Sequence, residues 1–67
     1  MKHSDFWDRM NETFGAGYAR SVAADHTIGA LDGRTVDQAL ADGENAKRVW
    51  MAVCRTWPDR VPARLVR

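Results

Sequence analysis

Few side chains in this sequence belong to the types that carry out nucleophilic, acid–base or metal chemistry. The 67 residues include one cysteine, Cys54, and two histidines, His3 and His26. A structural zinc site needs about four ligands, which these three residues do not supply. The sequence also lacks a glycine-rich phosphate loop, a G-x-S-x-G turn and a C-x-x-C pair. We therefore expect no catalytic residue, no cofactor and no metal, and a protein that is not an enzyme.

Two of these side chains fall on apolar faces of predicted helices. His26 lies in the middle of the apolar arc of a helix predicted from about residue 17 to residue 28, and Cys54 lies between Trp50 and Trp57. As functional groups, His26 would be a ligand or a proton-transfer group, and Cys54 a nucleophile that needs an activating base. No partner for either stands at a suitable spacing. We interpret them as a neutral core histidine and an inert core thiol.

The pattern in the first half of the chain predicts two helices, and the second of them carries His26. Ser4 is suited to cap the first helix, whose apolar arc ends before Gly15. The second helix follows from about Gly17 to Ile28, and its small apolar residues suit close packing. Residues 29–33 form a connector between two turn glycines, with Leu31 as an apolar anchor.

The second half carries the strongest boundary signals for helices. Thr35 opens a third helix, and Gln38 completes a capping box with it. Gly43 is placed to end that helix in a left-handed conformation. Asn45 caps a fourth helix, which ends before Pro58 because the residue preceding a proline is driven out of the helical region.

These elements predict an all-α fold, a compact bundle of three to four short helices with an aromatic core. We place a single helical domain at residues 1–57, followed by a Pro/Arg-rich C-terminal tail at residues 58–67. The tail is expected to be a loosely ordered, solvated terminus, with a specific anion or partner contact as the alternative. The expected core residues are Phe6, Trp7, Met10, Phe14, Tyr18, Val22, Leu40, Val49, Trp50, Val53 and Trp57.

Charge is divided unevenly along the chain. Residues 1–45 contain four basic and eight acidic residues, whereas residues 46–67 contain six basic residues and one acidic residue. The net charges are therefore −4 and +5. Such asymmetry indicates either an anionic partner or attraction between the two halves of one domain, and both interpretations stay open.

The opening residues and the cysteine content bear on localisation. The first ten residues carry acids where a signal peptide has its apolar region, and no apolar run approaches the ~18 residues of a membrane span. A single cysteine excludes an internal disulfide and fits a reducing compartment. We expect a cytoplasmic protein without a membrane partner.

One spacing suggests binding to nucleic acid. Ala39, Gly43 and Val49 match the small residue, turn glycine and aliphatic residue of a helix-turn-helix motif. Basic residues on the outer face of the fourth helix would then contact phosphates and base edges. Asp37, Asp42 and Glu44 place negative charge beside that contact, and two helices packed across a glycine turn explain the spacing equally well. The basic residues concerned are Lys47, Arg48 and Arg55.

Several segments carry a family resemblance: FWDRM, FGAGYARSVAADH, GALDGRTVDQAL, ADG and VWMAVC. The chain resembles an actinobacterial family called domain of unknown function 3046. The resemblance implies a compact helical protein with no assigned activity. It also implies a link to recombination and repair, since the family's genes often lie near those of the recombinase RecA and its regulator RecX. Family members often have an aliphatic residue in place of Glu44 and a basic residue in place of Met51, so both departures weaken the nucleic-acid hypothesis.

Our leading hypothesis is a small non-catalytic cytoplasmic interaction module that binds a protein partner or itself. It rests on the missing chemistry, on the segregated charge and on the many large apolar side chains. The alternative is a helix-turn-helix-like DNA-binding protein that uses the fourth helix. The candidate interaction surface consists of Lys47, Arg48, Met51, Arg55, Arg60 and Arg64.

Overall fold

A computed structural model describes residues 1–67 and contains four α-helices, a two-stranded sheet and two short 3₁₀ helices. The helices are α1 (His3–Phe14), α2 (Ala16–Asp25), α3 (Val36–Ala41) and α4 (Ala46–Thr56). The strands are β1 (Thr27–Ile28) and β2 (Arg34–Thr35), and the 3₁₀ helices are Gly29–Leu31 and Ala63–Leu65. The prediction of an all-α fold is confirmed, since the only sheet has two strands of two residues each. None of the helices is long and apolar enough to cross a membrane.

Helix α1 starts earlier than predicted. Its N-cap is Lys2, so the expectation that Ser4 caps the helix is wrong. The Asp5 carboxylate accepts a hydrogen bond from the Lys2 N–H at 3.3 Å. An acid in the first turn reaches back to a free backbone donor in this way. At the other end, Gly15 has a φ of 90° and separates α1 from α2.

Helix α2 is shorter than predicted because the chain turns into a strand. β1 pairs antiparallel with β2, and Thr27 stands opposite Thr35. β-branched residues favour extended backbone, and Thr27-Ile28 supply two in a row. The expectation of a core histidine is therefore wrong: His26 follows the last helical residue, has extended backbone and is exposed. Leu31 is fully buried, as the connector predicted.

The boundaries around α3 and α4 follow the sequence signals. The Thr35 Oγ1 accepts from the Gln38 N–H at 3.1 Å, and the Gln38 Oε1 accepts from the Thr35 N–H at 2.9 Å. Gly43 has a φ of 89°. The Asn45 Oδ1 accepts from the Lys47 N–H at 2.8 Å. The predicted capping box, turn glycine and N-cap are confirmed.

The core is one apolar cluster in which aromatic rings pack edge to face. The rings of Phe6 and Trp50 meet edge to face at 6.1 Å, and those of Phe14 and Trp57 at 5.2 Å. Tyr18 is 51% exposed, so its predicted place in the core is wrong. It lies about 90° around α2 from the face that the buried alanines and valine of that helix form, at about 100° per residue. The other expected core residues are buried (Phe6, Met10, Phe14, Val22, Val49, Trp50, Val53) or packed against the core while half-buried (Trp7, Leu40, Trp57).

The C-terminal tail packs onto the helices. Val61 is buried, and Leu65 packs against the core. The indole N–H of Trp50 donates to the Leu65 carbonyl oxygen at 2.7 Å. Arg9 donates to the carbonyl oxygens of Leu65 at 3.3 Å and of Arg67 at 2.8 Å. The tail is therefore a packed part of the structure rather than a solvated terminus.

Candidate interaction surface

The six predicted surface residues do not form one continuous surface. Arg48, Met51 and Arg55 lie together on the outer face of α4. Lys47 lines a different groove, near the chain's first residue. Arg60 and Arg64 lie against α1, where the tail packs. The structure therefore brings together three of the six.

These three residues line an open groove of about 480 Å³. Helix α4 buries its inner face, which includes Trp50, so its outer face is left at the surface. The first 3₁₀ helix contacts α4 and forms the second wall of the groove. We call this feature the α4 groove. Its lining residues are Ala30, Arg48, Met51, Ala52 and Arg55.

An exposed methionine stands between two arginines in the α4 groove. At about 100° per residue, Arg48, Met51 and Arg55 fall within about 60° of one another on the helix. Met51 is 37% exposed. A methionine side chain is flexible and polarizable and adapts to apolar surfaces of different shapes. The groove thus offers an apolar centre with a positive charge on either side.

The two arginines have little competition from carboxylates of the same chain. The Arg48 Nε lies 3.8 Å from the Glu44 Oε1, with the Arg48 side chain 63% exposed. No carboxylate lies within 4.0 Å of Arg55. An exposed ion pair of this length contributes little to stability. Both guanidinium groups are therefore available to an external anion.

The acidic side chains in the turn between α3 and α4 pair with Arg34, an arginine that the sequence pattern did not single out. Arg34 donates to Glu44 at 2.6 Å, to Asp42 at 3.0 Å and to the Leu31 carbonyl oxygen at 2.9 Å. The hydrogen bond from Arg34 lowers the pKa of Glu44, and the hydrogen bond to Glu44 raises the pKa of Arg34. A signal for this role was the position of Arg34 just before the Thr35 cap, where its side chain can reach the end of the short α3.

The other basic side chains of the surface prediction make internal contacts. Arg64 pairs with Glu12 at 2.8 Å. The guanidinium of Arg60 lies 5.3 Å from the centre of the Phe14 ring. Both arginines therefore contribute to holding the tail against α1.

The two residues with catalytic potential lie in different environments. Cys54 is buried, and desolvation by burial raises its pKa. A thiol with a raised pKa stays protonated at neutral pH and is a weak nucleophile. His26 is exposed and meets the Trp57 ring edge to face at 5.8 Å. No group of three or more His, Cys, Asp or Glu side chains is arranged to hold a metal ion.

The helix-turn-helix spacing has a packing role in this fold. Ala39 and Val49 are fully buried, and Gly43 takes the left-handed conformation that the turn requires. The small and aliphatic residues therefore let α3 and α4 pack together across the turn.

Comparison with known proteins shows that a protein-family model matches residues 1–64 of the chain. These residues include all four helices and most of the C-terminal tail. No curated protein and no solved structure matches the chain. The chain belongs to the family described as "Protein of unknown function (DUF3046)".

Proposed function

We propose that this protein is a small non-catalytic interaction module of the cytoplasm that binds another protein through the α4 groove. The observation that carries the proposal is the convergence of Arg48, Met51 and Arg55 on one open groove. The lone free cysteine supports a reducing compartment.

The lining of the α4 groove favours a protein partner. Aromatic residues, methionine and arginine are enriched where proteins bind proteins. Here Met51 provides an exposed apolar contact, and Ala30 and Ala52 leave room for a partner's side chain. The arginines would form a polar rim around that contact.

The environments of Cys54 and His26 support a role without catalysis. A nucleophile needs an accessible thiolate beside a base, whereas Cys54 is buried with a raised pKa. His26 stands on the surface beside the aromatic ring of Trp57. Neither arrangement prepares a reacting group.

DNA binding through α4 is the second candidate function. The packing of α3 and α4 across Gly43 favours it, as do the exposed side chains of Lys47, Arg48 and Arg55. Two acids, Asp42 and Glu44, lie in the turn that would approach the duplex, and Asp37 lies in the first turn of α3. A link to recombination and repair would fit this candidate.

Site-directed photocross-linking in native cells tests the leading proposal. The chain with benzoylphenylalanine in place of Met51 should capture a discrete protein, and the capture should weaken when Arg48 and Arg55 are changed to Glu. The same photoreactive residue in place of Asn11, exposed on α1, is the matched control. Absence of a discrete product at Met51, or identical products at both positions, would contradict the proposal.

Fluorescence anisotropy with labelled duplex DNA tests the second candidate. Specific use of α4 predicts binding that weakens steeply as salt increases, because counterions are released from the phosphates. The variant with Arg48→Glu and Arg55→Glu should then lose that binding. No measurable binding in low salt would remove this candidate.

A further inference from the structure

We infer that the α4 groove receives an acidic amphipathic helix of another protein, with two carboxylates seven residues apart and an apolar side chain between them. The inference rests on the proposed function and adds the chemistry of the partner. The carboxylates would pair with Arg48 and Arg55. The apolar side chain would pack on Met51.

The available charge in the groove selects an acidic partner. Arg55 has no carboxylate within 4.0 Å, and Arg48 has only Glu44 at 3.8 Å. Glu44 is held more closely by Arg34, at 2.6 Å. A guanidinium binds a carboxylate through two parallel hydrogen bonds. Two guanidinium groups at the rim of the groove thus lack a close carboxylate partner within this chain.

The spacing of the two arginines selects a helix. They stand two turns apart on α4, which is about 10.5 Å along the axis at 1.5 Å per residue. A helix that packs along α4 has the same rise, so residues i and i+7 match both arginines. Residue i+3 or i+4 then falls opposite Met51 on the same face.

An extended peptide fits this spacing poorly. Its side chains alternate between two faces with a rise of about 3.3 Å per residue. Side chains on one face are therefore about 6.6 Å or about 13 Å apart, and neither distance matches the arginines. The arginine side chains would have to absorb a mismatch of about 3–4 Å to pair with an extended segment, so a helix matches their spacing with less adjustment.

A second copy of this chain does not provide the partner helix. Asp5 and Glu12 on α1 are seven residues apart, but the residues between them on that face are the exposed Asp8 and the half-buried Arg9, which are polar. Glu12 already pairs with Arg64 at 2.8 Å. The helix must therefore come from a different protein.

A nucleic acid also fits the groove less well than an acidic helix. Met51 stands between the two arginines, where a phosphate backbone would leave its apolar surface without a matching contact. A carboxylate helix with one apolar residue uses all three side chains.

The test uses a fluorescein-labelled, alanine-based helical peptide with Glu at positions i and i+7 and Leu at i+4. Fluorescence anisotropy should show binding to the full chain. A peptide of the same composition with its two Glu residues five positions apart, on different faces, should bind at least about tenfold more weakly. The double variant Arg48→Glu, Arg55→Glu should lose at least about tenfold in affinity, which corresponds to about 1.4 kcal/mol.

Charge exchange provides the control for folding. The double variant should bind the peptide in which Lys replaces both Glu residues, because the attraction is then restored with opposite signs. Arg64→Glu is a charge-reversal control at one site outside the groove and should leave the affinity unchanged. Ala30→Trp should block the groove and weaken binding without altering its charge.

Three outcomes would overturn the inference: equal binding of both Glu spacings, no recovery with the Lys peptide, or displacement of the peptide by duplex DNA. Capture of a protein at Met51 without binding of the acidic peptide would leave the proposed function standing and contradict this inference. Peptide binding in register without any captured protein would support the inference and contradict the cellular role.

Discussion

Arg34 determines the electrostatics of the turn before α4. Its guanidinium bridges Asp42 and Glu44, and the side chain is only 25% exposed. The acids that the sequence suggested as a source of repulsion are therefore partly neutralised. The sequence pattern did not show this, because the contact depends on how the β2 strand and the turn meet in space.

The pH dependence of stability tests the role of Arg34. The lowered pKa of Glu44 means that its pairing stabilises the fold above the ordinary Glu pKa of about 4.3, and that this stabilisation is lost as pH falls through the lower folded value. We expect Arg34→Gln to reduce the free energy of unfolding at pH 7 and to flatten its decline between about pH 5 and pH 2. Urea unfolding across that range measures both, and an NMR titration should show the pKa of Glu44 rising in the variant. A decline as steep as that of the wild type would assign the acid sensitivity to other carboxylates.

Two glycines at the surface should respond to substitution in opposite directions. A Cβ at Gly17 would meet nothing within 4 Å, and its backbone is helical. Gly17→Ala should therefore stabilise the fold by about 0.4–1 kcal/mol through the unfolded state. Gly43 has a φ of 89°, so Gly43→Ala should destabilise it by about 1 kcal/mol or more. Thermal unfolding of both variants measures the difference, and shifts of the same sign would show that one backbone assignment is wrong.

At the scale of elements, local signals predicted what local contacts determine. Thr35, Gln38 and Asn45 act on backbone groups within three residues, so their roles were readable from the sequence. The β1–β2 pair was missed because two-residue strands are too short for an alternating pattern, and the contact joins Thr27 to Thr35 across the connector. The last three residues predicted for α2, 26–28, were misassigned for the same reason.

For the candidate surface as well, local periodicity predicted part of the arrangement, whereas long-range contacts were missed. Helical periodicity alone predicts that Arg48, Met51 and Arg55 share one face of α4, and they do line one groove. Ala30 was missed because it reaches the groove through a long-range contact. The position of the C-terminal tail could not be predicted either, because a segment with two prolines has no period that would show which element it packs on.

The C-terminal tail should be required for the integrity of the core. A chain that ends at Pro62 lacks the Leu65 carbonyl that accepts from the Trp50 indole. Loss of the partner of a buried donor costs about 1–3 kcal/mol, and the packing of Leu65 is lost as well. We expect lower stability and faster exchange of the Trp50 indole proton by NMR. Arg64→Gln is the control, since it removes the pair with Glu12 and leaves that carbonyl in place; similar effects in both variants would contradict the role of the carbonyl.

At the scale of the whole molecule, arginines from both the acidic and the basic part of the chain cover aromatic side chains. Only two ion pairs join the acidic and basic parts of the chain, Arg64 with Glu12 and Arg48 with Glu44. Other arginines stand over aromatic rings: Arg20 lies 3.7 Å from the centre of the Trp7 ring. Because Trp7 is half-buried, the guanidinium shields apolar surface as well as making a cation–π contact.

A comparison of two arginine variants in low and high salt separates these roles. Arg20→Gln should lower the free energy of unfolding by about 0.5–1 kcal/mol, since it removes the stacking over Trp7. Arg64→Gln should cost at most about 0.5 kcal/mol, because its pair with Glu12 is exposed. At about 1 M salt the Debye length falls to about 3 Å, so the Arg64 effect should vanish while most of the Arg20 effect remains. Urea unfolding at both salt concentrations measures the four values. An Arg64 effect that survives high salt would mean that its contact with Glu12 is not mainly ionic, and an Arg20 effect that vanishes at high salt would contradict the cover of the Trp7 ring.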